Sequence, residues 1–313
     1  MAIEFGRQAY IKLGAETTWG VAAGSTPVDN RINSSSLSRS QERNRKTHLS
    51  SSGAAFQIDS YDGSEICGGS ISMPMHFEGQ GLLLQAALGS VATTGTGPYT
   101  HTFTPTLTIP SLTIKNQRGS GTSEEFLGCK VASMNLSCEA GGELMGNFEF
   151  IAKTANNRAA ALPAPGFGDG REVLHFEAGQ LLFAGVNYDI RSFSLDLNNS
   201  QERRQNLGSK LTAEPQLNDV REVTLSIEAD MADDVLYSVQ LNGLTSDVTI
   251  TFLNSDSDSF EIRLRDAYLR EYSDDVNTFG VITRSMTFVG QGVSPNEALE
   301  IKIINQDASA VGN

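Results

Sequence analysis

The sequence predicts an all-β protein, mainly antiparallel, whose elements run through the same order twice. Three observations carry this reading. Apolar residues recur at alternate positions through most of the chain, as in half-buried strands. Helical spacing is confined to two short segments. Five elements of the first half return, in order, in the second.

The alternation is clear in Ser70-Ile-Ser-Met-Pro-Met-His-Phe77, Tyr99-Thr-His-Thr-Phe-Thr104 and Asn147-Phe-Glu-Phe-Ile151. It continues in Ser192-Phe-Ser-Leu-Asp-Leu197, Val223-Thr-Leu-Ser-Ile-Glu228 and Ser285-Met-Thr-Phe-Val289. Ser and Thr fill the outward positions, and glycine-rich breaks such as Gly119-Ser-Gly121 separate the runs.

Ser40-Gln-Glu-Arg43 recurs as Ser200-Gln-Glu-Arg203, each time before a long polar loop. The strand at 70–77 then matches the strand at 223–230. Next come the two short helices, 81–88 and 234–241, with Leu83 and Leu88 in register with Leu236 and Leu241. Glycines close both, Gly89 and Gly243, as helix C-termini favour. Residues 100–103 match 249–252, Leu112-Thr-Ile-Lys115 matches Phe260-Glu-Ile-Arg263, and the run from Phe148 matches the run from Met286. The division that follows is an N-terminal arm (1–30), domain one (31–155), a Pro/Ala linker (156–171), domain two (172–292) and a C-terminal tail (293–313). The loops at 46–66 and 205–220, with the arm and the tail, are expected to order only on assembly.

At 313 residues and 39% hydrophobic, the chain can bury a core throughout. No apolar run approaches the 18 or so residues of a membrane-spanning helix, so no membrane insertion is expected. The first residues lack the basic-then-apolar layout of a secretory signal. Cys67, Cys129 and Cys138 read as buried free thiols. A net charge of −14 argues against general nucleic-acid binding, whose affinity comes from Lys and Arg on phosphates.

A search for chemistry comes up empty. His76-Phe-Glu78 and His175-Phe-Glu177 each put two polar side chains on one strand face, yet no third metal ligand follows at a usable spacing. Asn254-Ser-Asp-Ser-Asp258 begins like a calcium loop but has Ser259 where glycine is needed and Arg265 where the glutamate belongs. No nucleophile elbow, zinc-protease helix or phosphate loop appears, so neither catalysis nor a cofactor is expected. What remains is charge. Arg39, Arg43, Arg45 and Lys46 form a basic patch, echoed by Arg203, Arg204 and Lys210. Glu228, Asp230, Asp233 and Asp234 cluster with the opposite sign at the start of the second helix, where a helix dipole favours acids. These residues are the candidates for contacts between copies or between rings.

Gly6-Arg-Gln-Ala-Tyr-Ile-Lys-Leu-Gly-Ala-Glu-Thr-Thr-Trp-Gly20, an extended segment ending in an acidic-Thr-aromatic-Gly turn, resembles the N-terminus of bacteriophage tail tube proteins. Pro98-Tyr-Thr-His-Thr-Phe103, Pro110-Ser-Leu-Thr-Ile-Lys115 and Leu127-Gly-Cys-Lys-Val131 are similar to strand motifs of that family. The resemblance implies two tandem tail-tube-like β-sandwich domains, each with a short flanking helix and a long loop. It also implies a non-enzymatic structural subunit of the virion tail, assembled in the host cytoplasm and stacking as rings into a hollow conduit for genome delivery. Its duplication resembles the long, non-contractile tails whose rings are homotrimers, a hexamer being the alternative. The implied partners are further copies of itself, other tail proteins at the tube ends, and double-stranded DNA passing without specific binding. A capsid or tail-tip protein, a carbohydrate-binding sandwich and a β-rich enzyme are the competing classes. A lectin would cluster aromatic residues in its loops, and Trp19 is the single tryptophan.

Overall fold

In the computed structural model, residues 6–24, 28–45, 60–166, 172–183, 186–230, 245–254, 258–275, 282–292 and 297–310 are described. Sequence alternation becomes alternation of burial: along Glu222–Asp230 every second residue is buried, and Ile190–Asn198 behaves alike from Phe193 on. Because side chains of a strand alternate in direction, each such run builds one apolar and one polar face.

The first half holds β1 (Tyr10–Ala15), β2 (Val28–Asn30), β3 (Ser34–Ser35), β4 (Ser38–Arg45) and β5 (Ser60–Pro74), then helix α1 (Gly81–Leu88). It continues with β6 (Gly89–Thr94), β7 (Tyr99–Pro105), β8 (Leu112–Arg118), β9 (Thr122–Glu139), β10 (Met145–Ala152) and β11 (Thr154–Ala160). The second half holds β12 (Gly179–Phe183), β13 (Val186–Tyr188), β14 (Ile190–Asn198), β15 (Gln201–Gln205) and β16 (Thr212–Leu217). After these come β17 (Glu222–Asp230), β18 (Thr245–Leu253), β19 (Ser259–Asp275), β20 (Thr283–Val289) and β21 (Leu299–Asn305). The protein is mainly antiparallel β, with one short α-helix among the described residues. The expected second helix, 234–241, lies outside them.

The pairing scheme repeats. In the first half the order β2–β1–β8–β9–β11 forms one sheet, and β4–β5–β10–β9 forms another. In the second half β13–β12–β18–β19–β21 and β14–β17–β20–β19 have the same connections. The long strands β9 and β19 each serve both sheets, changing over at a bulge. Gly128 at the first bulge has φ +66°, and Asp266 at the second has φ +47°. A carboxylate holds each bulge: the Gly128 amide donates to Glu16 Oε1 at 2.8 Å, the Asp266 amide to Asp247 Oδ1 at 3.0 Å.

Two seams join the halves. β9 pairs with β14, Leu136 opposite Leu195, so β4–β5–β10–β9–β14–β17–β20–β19 is one continuous sheet with four strands from each half. β21 pairs with β7, Ile301 opposite Phe103. Helix α1 is buried except at Gln85, and Arg221 of the second half donates to its last carbonyl, Leu88 O, at 3.1 Å. A cation suits that end of a helix.

Several expectations are corrected here. The pairings place β18 where β8 stands and β19 where β9 stands, while the β6–β7 hairpin has no counterpart among the described residues. All these strands alternate alike, so pattern alone matched them one strand out of step. Residues 60–66 belong to β5, and 205–220 is largely the β15–β16 hairpin. Lys130 holds that hairpin through Glu214 at 2.8 Å. The arm and the tail each contribute a strand that packs within the subunit. Ile11 and Leu13 of β1 and Leu299 and Ile301 of β21 are core residues. The linker is tied down as well: Tyr10 Oη donates to Pro163 O at 2.9 Å, and the Leu162 amide donates to Gln117 Oε1 at 2.8 Å.

Candidate channel-lining and assembly surfaces

The continuous sheet presents one polar face. Reading across it by register, Ser72, Asn147, Asn135, Asp196 and Thr224 form one row. Ser137, Ser194, Ser226, Thr287 and Glu271 form a second, and Glu139, Ser192, Glu228, Ser285 and Ser273 a third. These side chains bond to one another along the surface. Asn135 Nδ2 donates to Asp196 Oδ1 at 2.7 Å and to Ser194 Oγ at 2.8 Å, and Ser133 Oγ donates to Glu149 Oε2 at 3.1 Å. Arg270 offsets Glu222 at 2.9 Å, and Arg191 offsets Asp230 at 2.6 Å. Glu139, Glu149, Asp196, Glu228 and Glu271 leave this face acidic. Small hydroxyls and carboxylates, with few cations, make a wet surface with little to hold a polyanion.

The candidate contact residues divide by location. Arg39 on β4 turns inward, reaching Glu65 Oε2 and Ala155 O, each at 3.0 Å. Arg203 on β15 crosses to the first half, donating to Cys67 O at 2.5 Å and Ala152 O at 3.4 Å. Burial pushes its guanidinium pKa down. Arg43 is exposed, 3.7 Å from Asp62, and Arg204 is exposed on β15. Arg45 ends β4 with its side chain outside the described residues, as are Lys46, Asp233 and Asp234. The structure brings the two basic segments together, since the Glu65 amide donates to Lys210 O at 2.8 Å and Ser64 Oγ bonds Gln205 Oε1. Glu228 and Asp230 lie on β17, with Glu228 accepting from Ser192 Oγ at 3.4 Å.

His101 has structural surroundings. His101 is 1% exposed, with Nδ1 against Thr93 Oγ1 at 2.9 Å and Nε2 against Asn305 Oδ1 at 3.0 Å. Among the described residues no three His, Cys, Asp or Glu side chains converge as a metal ion requires. The three thiols are free and buried.

Sequence reasoning passed over the role of Glu16. Its carboxylate accepts from the amides of Gly20 and Gly128, each at 2.8 Å, from Ser111 Oγ at 2.7 Å and from Thr113 Oγ1 at 2.9 Å. Trp19 completes the junction: Nε1 donates to Gly128 O at 3.2 Å, and Lys153 Nζ lies 4.6 Å from the ring centroid. The acidic-Thr-aromatic-Gly turn is thus the clamp that sets the bend of β9. The spacing Glu16…Gly20 was visible in the sequence, whereas its distant target Gly128 was not.

A duplicated antiparallel scaffold with an acidic, hydroxyl-rich sheet face and charged surface patches has the makings of a self-assembling structural protein. The phage tail tube protein family matches residues 6–300, and the chain belongs to that family. It is therefore a structural, non-enzymatic subunit of a phage tail tube, a component of the virion tail that polymerises with its own kind into rings. Among solved structures, Hcp1 from Flavobacterium johnsoniae is similar at 18% identity and a TM-score of 0.28, over 36% of this chain and 89% of that one. No curated protein matches the chain.

Proposed function

We propose that the acidic face of the β4-to-β19 sheet lines the lumen of the tube, and that each subunit supplies two tandem sandwich domains. The first runs through β11 and the second begins near β12. The single observation behind this reading is the continuous sheet, to which each half gives four strands in the same order. Two such units in one chain favour three copies per ring where single-domain subunits would need six. A trimer ring weighs about 101 kDa (3 × 33.6 kDa) and a hexamer about 202 kDa (6 × 33.6 kDa). Native mass spectrometry of isolated rings distinguishes them, and the larger mass would refute the trimer.

Exposed Arg43 and Arg204, at the joined basic segments, are suited to face the next ring, with Arg45 and Lys46 beside them in sequence. Other tail proteins would meet the same surfaces at the tube ends. Double-stranded DNA carries one negative charge per roughly 1.7 Å of axis, so a basic lining would retain it by counterion release. An acidic lining offers it no binding site.

A further inference from the structure

A buried cation without an anion sits beside an apolar groove. Arg221 reaches the end of helix α1, where its Nη1 donates to Leu88 O at 3.1 Å. Its Nε and Nη2 are buried and have no hydrogen-bond partner among the described residues. Burial alone pushes its pKa down, with no carboxylate opposing the shift, and an arginine keeps its charge even so. A buried charge left uncompensated costs stability, so an anion that reaches it is favoured.

The groove has a volume of about 490 Å³. Leu107, between β7 and β8, walls it together with Leu197, Leu217, Val220, Val289 and Leu299 of the second half. Its acid, Glu222, is taken up by Arg270 at 2.9 Å. Leu107 is 70% and Val220 81% exposed, so the rim is apolar as well. We propose that this groove binds an amphipathic carboxylate, with its hydrocarbon chain along the leucines and its head on Arg221.

The guanidinium edge and the walls select this class of ligand. Nε and Nη2 form one edge of the guanidinium, and their parallel N–H groups match the two oxygens of a carboxylate. A phosphate head would find no second cation among the described residues of the walls. The volume falls in the range of small-ligand pockets, about 300–1,000 Å³. A rim of Leu107 and Val220 is far short of a protein interface of about 800 Å² per partner. Nε and Nη2 expose essentially no surface as they stand, so the side chain swings outward to present them and gives up its bond to Leu88. Leu88 O keeps the Thr106 amide at 3.0 Å, so the helix end stays partnered. One bond to a neutral carbonyl is exchanged for two to a carboxylate.

Isothermal titration calorimetry of the full chain with octanoate, butanoate and octanol tests the site. Octanoate should saturate one site per chain. It should bind at least about tenfold tighter than butanoate, because apolar burial grows with chain length. It should also bind at least about tenfold tighter than octanol, which has the chain without the charge. Arg221→Gln should bring octanoate down to the octanol level. If that variant does not fold, Leu107→Glu on the exposed rim decides, since a like charge at the mouth should weaken octanoate at least about tenfold. Equal affinities for octanoate and octanol, octanoate binding unchanged in either folded variant, or uptake without saturation would overturn the proposal.

Discussion

Glu65 is 1% exposed and accepts from Arg39 Nη2 at 3.0 Å, Thr154 Oγ1 at 2.7 Å and Cys67 Sγ at 3.5 Å. Burial alone pushes its carboxyl pKa up, but the hydrogen bonds from Thr154 and the Arg39 guanidinium outweigh that and leave it lowered. A carboxyl lowered on folding stabilises the protein above its unfolded pKa of about 4.3 and loses that contribution as pH falls through the folded value. Glu65→Gln should therefore cost about 1.5–3 kcal/mol at pH 7, the worth of hydrogen bonds to a charged group. In urea unfolding the gap from wild type should narrow once the pH is well below 4; a gap independent of pH would count against this account. Its own burial, with the Glu65 carboxylate adding to it, pushes the Cys67 thiol up to about 12, and burial also raises Cys129 and Cys138. Since the thiolate is the reactive form, a thiol reagent at neutral pH should find no cysteine in the folded subunit and three after denaturation. Rapid labelling of the folded chain would refute this.

Between residues and the whole molecule lies the bent long strand. Gly128 holds φ +66°, and an added Cβ would sit 2.9 Å from both Lys153 Cβ and Trp19 Nε1. Gly128→Ala should cost at least about 1–2 kcal/mol from the left-handed backbone alone, read as a lower melting temperature. Glu16→Ala removes four hydrogen bonds from the same bend. It should lower stability further, and an unchanged melting curve for either variant would show that the bend needs no clamp. At this scale the sequence was informative about strand character and poor on partners. The run Ser192-Phe-Ser-Leu-Asp-Leu197 announces its buried face, and the Ser/Thr face it implied is present. β1 was taken for part of an undocked arm because it is buried on both faces and so does not alternate. β21 does alternate, Leu299, Ile301 and Ile303 inward, and could have been found in the segment read as a tail. Of the basic candidates, Arg39 and Arg203 reach carbonyls and a carboxylate far away in sequence, which no local pattern of charge reveals.

At the level of the assembled tube, the proposal that the acidic sheet face lines the lumen has a consequence for DNA passage. Repulsion acts only within a screening length of about 8 Å at physiological salt, so it matters where DNA nears the wall. Exchanging Glu149, Asp196 and Glu228 for lysine in particles whose tubes still assemble should slow genome release, most of all at low salt. Release at the wild-type rate under those conditions would refute a role for the acidic lining. The β7–β21 seam reaches into a different matter, the schedule of biosynthesis. A ribosome adding about 5–20 residues per second finishes β7 roughly 10–40 s before it supplies β21, whose Ile301 lies against Phe103. During that interval a nascent chain has its first hairpin without the strand that covers it. The β7–β21 seam therefore closes only after β21 has been made.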